Sequence, residues 1–131
     1  MSLKTQDLFN VSNKVVVVTG GSRGIGEMIT SGFLANKSKV YITARKEEAL
    51  VKKAEELSQK YSCECIPVSG DISNSEGIDA LVNFLNDAEP EGIDFLINNA
   101  GAAWGANYDD FPESGWDKVV DLNLKTPFFL T

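Results

Sequence analysis

Short apolar runs alternate with longer amphipathic stretches along the chain. Lys14–Thr19 carries consecutive valines from Val15 to Val18, a continuous apolar run that marks a strand buried on both faces. Gly24–Lys37 follows as a helix with Ile25, Met28, Ile29 and Phe33 on one stripe. Gly32 inside it costs about 1 kcal/mol against alanine and points to close packing on a sheet. Lys39–Ala44 reads as a second strand. Lys46–Tyr61 reads as a helix in which Leu50, Ala54, Leu57 and Tyr61 recur at helical spacing, with lysines and glutamates on a solvated opposite face. Cys63–Val68 is a third strand. Ser73 and Glu76 have the spacing of a capping box ahead of the stripe Ile78, Leu81, Val82 and Leu85. Ile93–Ile97 is a fourth strand and Asn98–Asp110 a loop rich in Gly, Ala and Asn. A last helix begins near Ser114 and runs to the end of the chain.

The resulting order, β-α-β-α-β-α-β-loop-α, predicts an α/β fold: a parallel sheet with helices on both faces, joined by right-handed crossovers. At 131 residues the chain is expected to be one domain. It has no internal repeat beyond the alternation, no low-complexity segment and no linker.

Charge narrows the range of partners. The net charge is −7 and the sequence pI about 4.5, with no block of Lys or Arg. A nucleic-acid binder needs the opposite field, and an anionic membrane surface would repel this one. There is no histidine, which removes the commonest general base and the commonest zinc ligand, and no metal site is expected. Cys63 and Cys65 share one sheet face, where a redox or metal pair is one reading and two small hydrophobes in a reducing compartment the plainer one. Met1–Asn13 is polar and lacks an apolar signal core, and no apolar run reaches the ~20 residues of a membrane span. A cytoplasmic protein is expected.

Thr19-Gly20-Gly21-Ser22-Arg23-Gly24-Ile25-Gly26 lies between the first strand and the first helix. Glycines 20, 24 and 26 allow positive φ and close approach of backbone to a ligand, and the helix behind offers free N–H groups to a pyrophosphate. A Walker A loop fails here, because Glu27 and Met28 stand where Lys and Ser/Thr are required. The G-x-G-x-x-G fingerprint started at Gly24 fails at Ile29. The pattern present is T-G-x-x-x-G-x-G. A plain strand-to-helix turn would need fewer glycines.

In dinucleotide folds an acid at the end of the second strand binds the 2′-hydroxyl of NAD, and an Arg nearby accommodates the 2′-phosphate of NADP. Here that strand ends Thr43-Ala44-Arg45-Lys46, with no acid. Arg23 in the glycine loop can approach the same place, and a guanidinium forks onto phosphate oxygens. The plainer reading is that Arg45 and Lys46 merely open a charged helix.

Taken together, Thr19–Gly26, Ala44-Arg45, Asp71-Ile72, Asn98-Asn99-Ala100-Gly101 and Asn123 in Asp121-Leu122-Asn123-Leu124 resemble the short-chain dehydrogenase/reductase family, from Lys14 onward. Ala100–Gly105 with Gly115-Trp116-Asp117 looks like the branch holding the rhamnolipid-associated 3-oxoacyl reductases. The resemblance implies a three-layer αβα Rossmann fold with strand order 3-2-1-4 and an enzyme that reduces a carbonyl or oxidises an alcohol with NADP(H). It implies a small-molecule substrate and a homodimer or homotetramer built on the last helix seen here and the one after it. Gly20, Ser22, Arg23, Gly24, Ile25, Gly26, Arg45, Asp71, Ile72, Asn98, Ala100 and Gly101 would then bind the coenzyme. Asp71 would meet the adenine amino group with Ile72 against the ring, while Asn98 would brace the first strand. Asp71 also reads as a helix-entry turn residue.

Asn123 would be the catalytic-tetrad member in this chain, holding a proton-relay water. Pro127, four residues on, has no N–H and leaves the Asn123 carbonyl without its usual partner. An ordinary buried polar residue beside a helix kink is the plainer alternative. The family's site also needs a Ser, a Tyr and a Lys four residues after that Tyr. Tyr41, Tyr61 and Tyr108 are followed at that spacing by Arg45, Cys65 and Pro112. With no fifth strand and a helix ending Phe128-Phe129-Leu130-Thr131 without a stop, residues 1–131 are expected to be the N-terminal part of a single NAD(P)-binding domain, inactive alone. A non-catalytic NADP(H)-binding or sensing module is the alternative. Extended-chain sugar epimerases usually carry T-G-x-x-G-x-x-G, which this loop does not match.

Overall fold

The computed structural model describes residues 2–131. Four parallel strands, β1 (Val15–Thr19), β2 (Lys39–Ala44), β3 (Cys65–Ser69) and β4 (Phe95–Ile97), form one sheet in the order β3-β2-β1-β4. The helices are α1 (Thr5–Leu8), α2 (Gly24–Ala35), α3 (Glu47–Tyr61), α4 (Ser75–Ala88), α5 (Glu113–Val120) and α6 (Thr126–Leu130). This is the expected three-layer Rossmann architecture. The short α1 falls in a segment whose sequence shows no periodic signal.

The valine run owes its continuity to burial on two sides. Val16 and Val18 pack with Val40, Ile42 and Cys65 against Leu34, Leu50, Ala54 and Leu57 of α2 and α3. Val17 and Tyr41 point the other way, toward Ile78, Leu81 and Leu85 of α4. Register is set by Val16↔Val40 and Val18↔Ile42 between β1 and β2, and by Val16↔Phe95 between β1 and β4. A one-residue slip would exchange the two cores.

Three expectations are corrected. The buried stripe of α2 is Gly26, Thr30 and Leu34, whereas Ile25 and Met28 are about three-quarters exposed, at 70% and 73%. Gly26 sets the first turn against the glycine loop, so Ile25 and Met28 turn outward, while Ile29 and Phe33 are half-buried against the core as expected. α4 is capped by Asn74, whose Oδ1 accepts the Gly77 N–H at 2.9 Å. Ser73 is unavailable as a cap because Asp71 holds both its N–H and its hydroxyl. Finally, the last helix contains a π turn over Asp121–Lys125 between α5 and α6. There the Thr126 N–H reaches back to the Asp121 carbonyl, and the Thr126 hydroxyl contacts the carbonyls of Ile72 and Asp121.

β3 is an edge strand. The Ser58 hydroxyl accepts from the Cys65 N–H at 2.9 Å and contacts its carbonyl at 3.2 Å, and Pro67 sits two residues on. Cys65 is buried, its thiol pushed up to about 12 by that burial, and Cys63 packs beside the same core. Both cysteines are free, which fits two small hydrophobes.

At the amino end of the sheet, Glu89 just after α4 accepts from the Tyr41 hydroxyl and pairs with Lys39. Lys39, then Tyr41, hold the Glu89 carboxyl below its usual range, and Glu89 holds the Lys39 ammonium above its own. The cluster fastens α4 to the start of β2. Glu89→Gln is expected to lower unfolding free energy by about 1–2 kcal/mol at neutral pH. A depressed carboxyl stabilises the fold above the unfolded value of ~4.3, and that contribution is lost as pH falls through the folded value. Urea titrations at successive pH values should therefore show parent and variant converging in acid.

Candidate functional site

The carboxyl ends of all four strands open into one crevice of about 840 Å³. It lies where the chain, having laid β2 and β3 to one side of β1, returns to place β4 on the other, the switch point at which ligands bind in open α/β sheets. Its size falls within the range of small-molecule and coenzyme sites.

The glycine loop forms its floor. Gly24 has φ +56° with nothing near its missing side chain, so it serves conformation alone. Gly26 has the opposite role: a Cβ there would lie 2.1 Å from the Gly20 carbonyl oxygen and 2.6 Å from Asn99 Nδ2. The first turn of α2 is thereby set against the end of β1. Arg23, the residue before the helix, supplies no side-chain cap, so the first amides of α2 remain free for an anion. Gly21, unassigned in the sequence reading, is needed for packing, since a Cβ would meet Ile42 Cγ2 at 2.5 Å.

The loop is held by residues the motif reading passed over. The Thr19 hydroxyl accepts the amides of Asn99 and Ala100, each at 3.0 Å. The Asn99 side chain donates to the carbonyls of Thr19 at 3.0 Å and Gly20 at 3.3 Å. The Gly20 N–H donates to the Thr43 carbonyl at 3.0 Å. Bracing was expected of Asn98, but it belongs to Asn99. The Asn99 N–H bonds the Ile97 carbonyl, a tight turn that ends the strand alternation and exchanges the two directions. Asn98 instead reaches Thr131 at 3.1 Å.

Apart from Gly24 and Asn98, every residue expected to bind coenzyme lines the crevice. Arg23 and Arg45 are exposed on its rim, and among the described residues neither makes an ion pair. Lys46 and Lys118 join them. Asp71 Oδ1 takes the Ser73 hydroxyl at 2.7 Å and N–H at 3.1 Å. These bonds, helped by the Arg45 charge, hold its carboxyl below the usual range. Ile72 is 6% exposed and packs chiefly into the α4 core, so only its margin faces the crevice. Asn123 lies in the π turn, outside the lining. Its side chain accepts the Ala102 N–H and donates to the Ala102 carbonyl, both at 2.8 Å.

Among the described residues no group of three or more His, Cys, Asp or Glu is placed to hold a metal ion. No helix there is long and apolar enough to cross a membrane.

Residues 14–131 match the family model for short chain dehydrogenase. The chain belongs to that family. A Pseudomonas aeruginosa protein, the rhamnolipids biosynthesis 3-oxoacyl-[acyl-carrier-protein] reductase, is 41% identical over 92% of this chain and 46% of its own length. The NAD-dependent glycerol dehydrogenase of Listeria innocua is 33% identical over 93% of this chain and 46% of its own. The Pseudomonas aeruginosa RhlG/NADP active-site complex superposes with a TM-score of 0.86 at 39% identity, covering 93% of this chain and 46% of that one. L-sorbose reductase from Gluconobacter frateurii, complexed with NADPH and L-sorbose, gives 0.86 at 30% identity, over 91% and 45%. The chain spans about half the length of the curated relatives it matches.

The two asparagines separate bracing from bystander. Asn99→Ala should cost about 1–3 kcal/mol, because two carbonyls of the glycine loop lose their donor. Asn98→Ala should stay within about 0.5 kcal/mol. Denaturant unfolding of both variants measures the difference, and equal losses would contradict the assignment.

Proposed function

We propose that this chain is the coenzyme-binding part of an oxidoreductase that reduces a carbonyl, or oxidises an alcohol, with NADP(H). The observation that carries the reading is the crevice itself: free amides at the mouth of α2 lie beside two uncommitted guanidiniums, Arg23 and Arg45, on a chain of net charge −7. The residues fit the coenzyme. The Gly20–Gly26 contact lets a pyrophosphate meet main chain, and the end of β2 offers Arg45 where a selector of NAD would offer an acid. Similar structures carry NADP or NADPH. A related dehydrogenase uses NAD, so the choice rests on this chain's own cations.

Each wall has a task in this reading. The α2 amides, with Gly20, Ser22, Ile25 and Gly26, hold the pyrophosphate, and Gly24 shapes the turn that presents them. Arg23 and Arg45 hold the 2′-phosphate by charge-assisted bonds. Asp71, its Oδ1 engaged by Ser73, offers Oδ2 to the adenine amino group, beside Ile72. Ala100 and Gly101 leave room for a ribose. Asn98, turned toward Thr131, contributes through its main chain. When bound, the coenzyme supplies hydride exchange at its nicotinamide. Asn123 positions Ala102 and, through its main-chain carbonyl, holds a proton-relay water.

Hydride transfer is proposed of the whole protein. Residues 1–131 would be the N-terminal part of one NAD(P)-binding domain, with a Ser and a Tyr-x-x-x-Lys supplied beyond them. A 3-oxoacyl-type substrate is the finer proposal, supported by the Pseudomonas reductase. Assembly as a homodimer or homotetramer is supported by exposed Trp116, Leu124, Phe128 and Phe129 on the last helices. A cytoplasmic location belongs to the same reading. The alternative is a non-catalytic NADP(H)-binding module, and whether a Ser and a Tyr-x-x-x-Lys follow in the full reading frame separates the two.

Calorimetric titration tests the coenzyme. The chain should bind NADPH more tightly than NADH. Arg45→Asp should weaken NADPH binding by about 10- to 100-fold, the worth of a charge-assisted pair, and improve NADH binding. An unchanged preference would reduce Arg45 to a surface charge. The chain alone should show no NADPH-dependent carbonyl reduction.

A further inference from the structure

One wall of the crevice, Ala100 to Ala103, belongs to a stretch without regular secondary structure, residues 98–107. From Gly101 to Ala106 no backbone group bonds another backbone group among the described residues. The wall is therefore placed by side chains. One anchor is Asn123, whose amide brackets Ala102. The other is Trp104, which rests on α5 at Gly115. A Cβ at Gly115 would lie 2.7 Å from indole Cδ1 and Nε1 and 2.8 Å from Cγ. The Lys118 ammonium, one turn along the helix, stands 5.2 Å from the indole centroid, within cation–π range, and Lys118 itself lines the crevice.

Nothing in the backbone asks for glycine at 115. It lies inside α5 and is absent from the glycines with positive φ. Alanine would be the better helix former there. The indole accounts for the choice, yet Trp104 is 43% exposed and belongs to neither core. A contact that costs helix propensity and buries the ring only in part serves placement more than stability.

We propose that Trp104, seated in the Gly115 notch and flanked by Lys118, is a positioning residue for the coenzyme crevice. With Asn123 it fixes the backbone from Gly101 to Trp104 against α5, so that the wall stands ready before the coenzyme arrives. Preorganisation of this kind raises affinity by lowering the cost of ordering on binding. The inference rests on the NADP(H) reading above.

The test uses the 131-residue chain with Trp116→Phe, which leaves Trp104 as its one indole, and adds Gly115→Ala, Trp104→Ala and both. Calorimetry should find NADPH binding weakened about tenfold by either single change, and the double no weaker than Trp104→Ala alone, as for two halves of one contact. The thermal midpoint of Gly115→Ala should hold or rise. Acrylamide should quench Trp104 more readily once Gly115→Ala has unseated it. Unchanged NADPH affinity in both single variants, or losses that add in the double, would overturn the proposal. If the parent does not bind NADPH, the coenzyme reading is the one that fails. The seat is still read without ligand, and unaltered quenching in Gly115→Ala would overturn it separately.

Discussion

The first turn of α2 lies closer to the end of β1 than any side chain would permit, and the crevice depends on that approach. Hydrogen at Gly26 lets the helix meet the Gly20 carbonyl and the Asn99 amide directly. The consequences spread outward. The Thr19 hydroxyl gathers the amides that follow β4, so β1 and β4 end at the same level. The Gly20 N–H ties the loop to β2. Helix dipole, strand ends and loop then converge on one place, and the anion site proposed there would be a property of main-chain geometry more than of net charge.

Electrostatics at two scales divide the work. The chain as a whole is strongly acidic, which favours solubility and repels polyanions. Within the crevice Arg23, Arg45, Lys46 and Lys118 face only Asp71 and Asp121. Asp71 is already engaged by Ser73. A small dianionic phosphate therefore finds a local field opposite to the global one, and screening over roughly 8–10 Å keeps the two apart.

What periodicity encodes was legible in the sequence. The valine run, the α3 stripe and the α4 stripe each report burial on a repeating face, and the sheet follows from them. Features decided by one residue's size or one hydrogen bond were not. In α2 the expected stripe holds at Ile29 and Phe33, but Ile25 and Met28 are exposed because the close approach at Gly26 decides which side of the first turn faces inward. At α4 Asp71 captured Ser73 and moved the cap to Asn74. At the end of β4 one tight turn exchanged Asn98 with Asn99. Pro127 warned of an irregular helix, but the form of it, a π turn closed by Thr126, depends on the Ile72 carbonyl from a distant loop. The seat of Trp104 on Gly115 gives no periodic signal, since it joins a loop to a helix through a missing methyl group.

The edge strand β3 carries a further consequence. The Val40 amide bonds the Glu64 carbonyl and the Gly70 amide bonds that of Ala44, so even-numbered residues here face β2 and odd-numbered ones face outward. Of the outward positions, Cys65 has both main-chain groups occupied by Ser58, and Pro67 has no hydrogen to give. That margin offers little template for a stray strand from another molecule. Aggregation by sheet extension is thus discouraged on the β3 side by one hydroxyl and one imino acid, without a single charged residue being spent on the task.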